Sequence, residues 1–129
     1  MNKNIVSAAA LVLVTFAPLG SSQIVQPEMQ RYRVGELPAT HNEDGRVVRR
    51  VDAATIGLIR VEWPAGTRTT AHNHAAELMV FVVEGRVRAF SGGQELTLEA
   101  GDLVVFPAYV EHSYEALEDS ITVEAIGPG

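Results

Sequence analysis

From Arg46 onward the chain alternates short apolar runs with breaks that carry glycine or proline. Residues 46–51, 55–63, 78–84, 86–91, 95–98, 103–106 and 120–125 are rich in Val, Leu, Ile and Phe and too short for ordinary helices, so each reads as a strand. The breaks between them, among them Trp63-Pro64-Ala65-Gly66, Glu84-Gly85, Ser91-Gly92-Gly93 and Ala100-Gly101, are turn chemistry. No stretch holds a 3.6-residue apolar period long enough for a substantial helix. The pattern predicts an all-β fold, an antiparallel sandwich or closed barrel. Residues 78–83 are apolar on both faces. One face can line the interior, while Met79, Phe81 and Val83 on the other can meet a second sheet or another subunit.

Residues 23–45 mix proline, glycine and polar side chains with little periodicity, which predicts an arm lying across a barrel domain of residues 46–129. The start of the chain is different again. Met1-Asn2-Lys3-Asn4 holds the only lysine, residues 5–17 are almost unbroken apolar sequence, and Pro18 and Gly20 follow at once. That is the build of a secretory signal peptide, with an apolar run shorter than the roughly 20 residues that span a bilayer. Gly20 and Ser22 suit cleavage before Gln23, so residues 1–22 are expected to be removed and the protein to be periplasmic or secreted, off the membrane.

With 129 residues, 47% of them hydrophobic, the chain is long enough for one core and too short for two. Its net charge is −6. Loss of Lys3 with the signal leaves nine arginines against sixteen acids, a net charge of −7. No basic stripe is available to displace counterions, which argues against nucleic acid and anionic lipid as partners and leaves small molecules and proteins. No cysteine is present, so an exported form rests on its core rather than on disulfides.

The candidate chemistry is concentrated in two segments. Gly66-Thr-Arg-Thr-Thr-Ala-His72-Asn-His74 opens one that ends at Gly85; the other runs Gly101-Asp-Leu-Val-Val-Phe-Pro107-Ala-Tyr-Val-Glu-His112. Two histidines one residue apart in a strand face the same way, so His72 and His74 can reach one ion from one wall. His112 supplies a third imidazole, whereas His41 stands alone in the polar arm and reads as a surface residue. Three neutral imidazoles with an open position suit zinc, iron, nickel or copper. Arg60 and Arg88 would grip a ligand carboxylate if they faced inward.

These two segments resemble the paired motifs of the cupin superfamily, with Gly66, His72, His74 and Gly85 in register with the first and Gly101, Pro107 and His112 with the second. The resemblance covers about residues 55–125 and implies a double-stranded β-helix, or jelly-roll barrel, of the small single-domain type. It also implies a divalent transition metal (Fe, Mn, Ni, Cu or Zn) and a homodimer. The family's glutamate or glutamine ligand would fall at Leu78; Glu77 lies one residue early and reaches the ion only if a β-bulge between His74 and Glu77 turns it inward. The alternatives are thus three histidines completed by water, a bulged site that adds Glu77, and a barrel without metal.

The tail from Ala116 to Ile126 resembles that of small cupins of pectin and alginate breakdown that open the rings of unsaturated uronates. By position in that group, Glu124 would assist proton transfer, although Ile126 replaces a typical aromatic residue. Tyr114 shares the parity of His112 and can either orient a ligand or pack. Three functions follow: oxygenase- or isomerase-type chemistry on a small oxygenated metabolite, binding of a metal or small molecule without turnover, and a metal-free scaffold.

Overall fold

The computed structural model describes residues 25–128, and Tyr32–Gly129 form one compact unit. The signal-peptide expectation for residues 1–22 lies outside the described residues. Among those described, no helix is long and apolar enough to cross a membrane.

Two antiparallel sheets make up the unit. Strands β1 (Thr40–His41), β2 (Val47–Asp52), β3 (Gly57–Trp63), β4 (Leu78–Glu84), β7 (Leu103–Phe106) and β9 (Ser120–Ile126) form the larger, in the order β1-β2-β3-β9-β4-β7. The smaller is β6 (Gln94–Glu99), β5 (Arg86–Ser91) and β8 (His112–Ala116), in that order. The non-consecutive neighbours β3, β9 and β4 give the crossed connections of a jelly roll, as the cupin resemblance implies, and the antiparallel all-β architecture is the one the strand pattern predicts.

Alternation in each strand decides which side chains are buried. Leu78, Val80 and Val82 of β4 point in with Val61 and Trp63 of β3, Val87 and Ala89 of β5, and Phe106 of β7. Filling this core is what holds the sheets face to face. The buried Trp63 indole N–H donates to Thr122 Oγ1 at 2.8 Å, so the polar edge of the ring is satisfied. Gly85, at φ 86°, joins β4 to β5; a Cβ there would run into Asp119 O and Ser120, so the turn admits no side chain.

Two strands were not visible as apolar runs. The sheet begins at Thr40, earlier than residue 46, because the polar turn Asn42–Gly45 closes a hairpin: Asn42 N–H donates to Arg46 O (2.9 Å) and Gly45 N–H to Asn42 O (3.0 Å). β8 is the other; His112, Tyr114 and Ala116 face the core and Glu115 faces out. Two of its three inward residues are polar or amphipathic and the intervening Ser113 is buried as well, so hydrophobicity alone hides it.

Candidate metal centre

The first histidine segment lies beside β8 as an irregular fourth strand of the small sheet. Arg68 pairs with Glu115, and His72 pairs with His112. Three residues lie between Arg68 and His72, but only two between His112 and Glu115, so the segment carries one extra residue: a β-bulge. Burial shows the same phase change. Thr67 and Thr69 face in, Thr70 and Ala71 are both exposed, and from there His72, His74, Ala76 and Leu78 alternate inward. Without the extra residue Ala71 would oppose His112 and both His72 and His74 would face solvent.

The bulge thus precedes the histidines rather than following them. Because the alternation then runs unbroken to Leu78, Glu77 faces out and is exposed. The atoms gathered into a possible ligand set come from His72, His74 and His112 and lie within 4.8 Å of one another; Glu77 is not among them. Ring centroids stand 4.9 Å (His72 to His74), 4.6 Å (His72 to His112) and 5.2 Å (His74 to His112) apart. His41, in β1, is exposed and takes no part.

Hydrogen bonds fix the histidine tautomers. His72 Nδ1 lies 2.8 Å from Thr70 O and His112 Nδ1 lies 3.2 Å from Val110 O. A carbonyl can only accept, so in each case Nδ1 carries the proton and Nε2 keeps its lone pair for a ligand role. His112 is 3% exposed, and its Nε2 is buried without a hydrogen-bond partner among the described residues. Phe106 stacks on its ring at 4.5 Å. Burial, with His72 beside it, holds the pKa of His74 below the ordinary range. Burial does the same to His112 against the pull of Val110 O, helped by both neighbouring histidines. Neutral imidazoles around an unpartnered buried nitrogen fit a divalent transition metal.

One layer deeper are the two other sequence candidates. β9 and β8 place Glu124 and Tyr114 one inward step from Ile126 and His112 at the ends of their strands, and both are buried. Burial pushes the Glu124 carboxyl up to about 7, partly offset by Arg46 and a hydrogen bond from Thr122. Burial and the nearby Glu124 hold the Tyr114 hydroxyl protonated far above its usual range, and that hydroxyl has no hydrogen-bond partner among the described residues. Arg60 and Arg88 do not face inward: Arg60 bonds Glu62 at 2.7 Å and Arg88 pairs with Glu95 at 3.1 Å, outside the barrel. A cavity of about 180 Å³ lined by Ala89, Leu96, Val104, Phe106, Pro107 and Val110 borders the ring that stacks on His112.

Residues 59–126 match the family model of the cupin domain, more than half of the chain. The chain is a cupin. Its fold is shared with KdgF from Halomonas sp., at 24% identity and a TM-score of 0.73 over 79% of this cupin and 96% of that chain. An RmlC-like cupin from Shewanella frigidimarina follows at 19% identity and 0.72, over 81% and 94%. Salicylate 1,2-dioxygenase from Pseudoaminobacter salicylatoxidans, in an adduct with gentisate, aligns at 24% identity and 0.63, over 69% of this cupin but 26% of the longer enzyme. No curated protein sequence matches the cupin significantly. The bulge before His72, at which Tyr114 N–H donates to Thr69 Oγ1, is a structural feature of the site that sequence reasoning missed.

Proposed function

We propose that this cupin holds one divalent transition metal through His72, His74 and His112 and catalyses proton-transfer chemistry, of the isomerase type, on a small oxygenated metabolite. The observation that carries the reading is the buried His112 Nε2, which has no partner among the described residues and faces two further imidazoles. Such a nitrogen is costly to bury unless a cation or a hydrogen-bond donor completes it, and with two more imidazoles converging on it a cation fits best. Iron, manganese, nickel, copper and zinc all accept such a donor set, and a bound metal would polarise a ligand oxygen.

The protein's own part is the proton. A carboxyl group with a pKa of about 7 is suited to both giving and taking one at neutral pH, which makes Glu124 the candidate general acid or base. The Tyr114 hydroxyl stays protonated and has a hydrogen bond to give, so it can orient a ligand oxygen. This pairing favours isomerase over oxygenase chemistry, although the dioxygenase among the structural relatives acts, by its name, on a small oxygenated compound. A second reading, capture of a metal or metabolite without turnover, draws support from the outward Glu77, which leaves three protein ligands where a fourth would be usual.

The signal-like residues 1–22 support export to the periplasm or outside the cell. The outer face of the large sheet supports a homodimer: Met79, Phe81 and Val83 on β4 and Leu103 and Val105 on its neighbour β7 are all exposed. The enzymatic reading is tested by following solvent deuterium exchange into a panel of hydroxy acids, diketones and sugar acids with the metal-loaded protein. Incorporation that disappears in Glu124→Gln supports it. Metal-dependent binding with no exchange in any compound points instead to capture without turnover.

A further inference from the structure

We infer that the Thr69 hydroxyl is a positioning group for the metal site: by standing in for a backbone carbonyl at the bulge, it keeps His72 and His74 turned into the barrel. This rests on the reading of the three histidines as metal ligands.

In a regular antiparallel ladder Thr69 and Tyr114 would exchange two backbone hydrogen bonds. Only one of them is made: Thr69 N–H donates to Tyr114 O at 3.0 Å. The returning donor, Tyr114 N–H, goes to the Thr69 side-chain Oγ1, also at 3.0 Å. The backbone of Thr69 is thereby free to turn away, and the extra residue is taken up over Thr70 and Ala71, both exposed. The ladder resumes at His72, whose N–H and carbonyl both bond His112 (3.0 and 2.8 Å). Thr70 contributes as well, since its carbonyl holds His72 Nδ1 at 2.8 Å.

Loss of the hydroxyl leaves Tyr114 N–H unpartnered within the barrel wall. The simplest repair is to give it the Thr69 carbonyl, which restores the regular ladder and removes the bulge. Ala71 then stands opposite His112, and His72 and His74 turn outward. Thr67, on the same segment, provides a contrast: it is buried, but its hydroxyl donates to Pro64 O at 2.6 Å within the preceding turn and does not bridge to β8.

The test titrates Co(II), followed by its visible absorption, into the metal-free full chain and into Thr69→Val, Thr69→Ala, Thr69→Ser and Thr67→Val. Amide exchange of Tyr114 is measured in the metal-free proteins. Thr69→Val and Thr69→Ala are expected to lose about 10- to 100-fold in affinity, the range for groups that orient metal ligands, and to change the cobalt spectrum. Tyr114 exchange should accelerate in both, Thr69→Ser should restore binding and protection, and Thr67→Val should leave the cobalt spectrum unchanged. Binding by either hydroxyl-free variant within about twofold of the unaltered chain overturns the inference, as does an equal loss in Thr67→Val. Failure of the unaltered chain to bind cobalt overturns the metal reading instead, and Tyr114 exchange then still decides the role of Thr69.

Discussion

His72 and His112 hold each other by both of their backbone hydrogen bonds, so their imidazoles leave directly opposed positions on one face with ring centroids 4.6 Å apart. His74 follows one same-face step along the chain, and its carbonyl accepts the Tyr109 N–H at 2.7 Å. Three backbone tethers thus set the ligand geometry before any ion arrives. The Nδ1 bonds of His72 and His112 hold two of the three rings as well, so those side chains have little freedom left to lose on binding.

Protonation of His74 and His112 should matter only in acid. His74 and His112 both have pKa values held below the ordinary histidine range, so they are already neutral at pH 7.5. Metal binding at that pH is expected to release no proton from either, and their protonation is expected to weaken binding only in acid, below the ordinary histidine range. Calorimetry in buffers of different ionisation enthalpy measures the protons released. Release of two or more at pH 7.5 contradicts the burial-driven shifts.

Glu124 should destabilise the metal-free fold at neutral pH. Its carboxyl is raised from 4.5 to about 7 in the folded protein. A raised carboxyl favours the fold fully below its unfolded pKa, and this contribution is lost as pH rises through the folded value. Glu124→Gln is therefore expected to match the original chain near pH 4 and to exceed it by up to about 3 kcal/mol at pH 8, at 1.36 kcal/mol for each pKa unit. Denaturant melts of the metal-free proteins across this range test the sign; a difference that does not grow with pH contradicts it.

The barrel was legible because its strands alternate and its turns carry glycine, and the histidines because their framing is specific. What stayed hidden depended on the partner strand. β8 could not be read from apolar content, since its inward face is His112, Tyr114 and Ala116. The place of the bulge could not be read either, because register is a property of two segments. Arg68 and His72 reveal the extra residue only when matched with Glu115 and His112. The same limit applied to Arg60 and Arg88: parity shows that residues two apart share a face, but only the sheets show which face is inside.

Tyr109 is the only non-glycine among the described residues with positive φ, at 64°, and the residue is 74% exposed. The left-handed conformation costs a residue with a Cβ roughly 1–2 kcal/mol, and little packing opposes its removal. Tyr109→Gly is expected to stabilise the protein by about 0.5–1 kcal/mol after allowing for the greater freedom of glycine in the unfolded chain. Thermal melts measure this, and a loss of stability would show that the phenol ring contributes something its exposure does not suggest.

The outer face of the large sheet should govern association. Phe81 and Met79 stand on β4, beside the edge strand β7, paired across to Leu103 and Val105. If a second copy covers this face, Phe81→Glu places a charge in an apolar interface and converts the dimer to monomer. Light scattering behind size exclusion gives the mass directly. A monomeric original chain at micromolar concentration, or an unaltered dimer in Phe81→Glu, contradicts the assignment.

The central claim is that His72, His74 and His112 hold a metal, and elemental mass spectrometry tests it most directly. The protein is purified without an affinity tag or added metal, beside a His72→Ala/His112→Ala variant, and both are also measured after reconstitution with each candidate ion. The expected result is stoichiometric iron, manganese, nickel, copper or zinc in the original chain and its loss in the variant. Absence of metal from both proteins, before and after reconstitution, contradicts the claim and leaves the barrel as a scaffold.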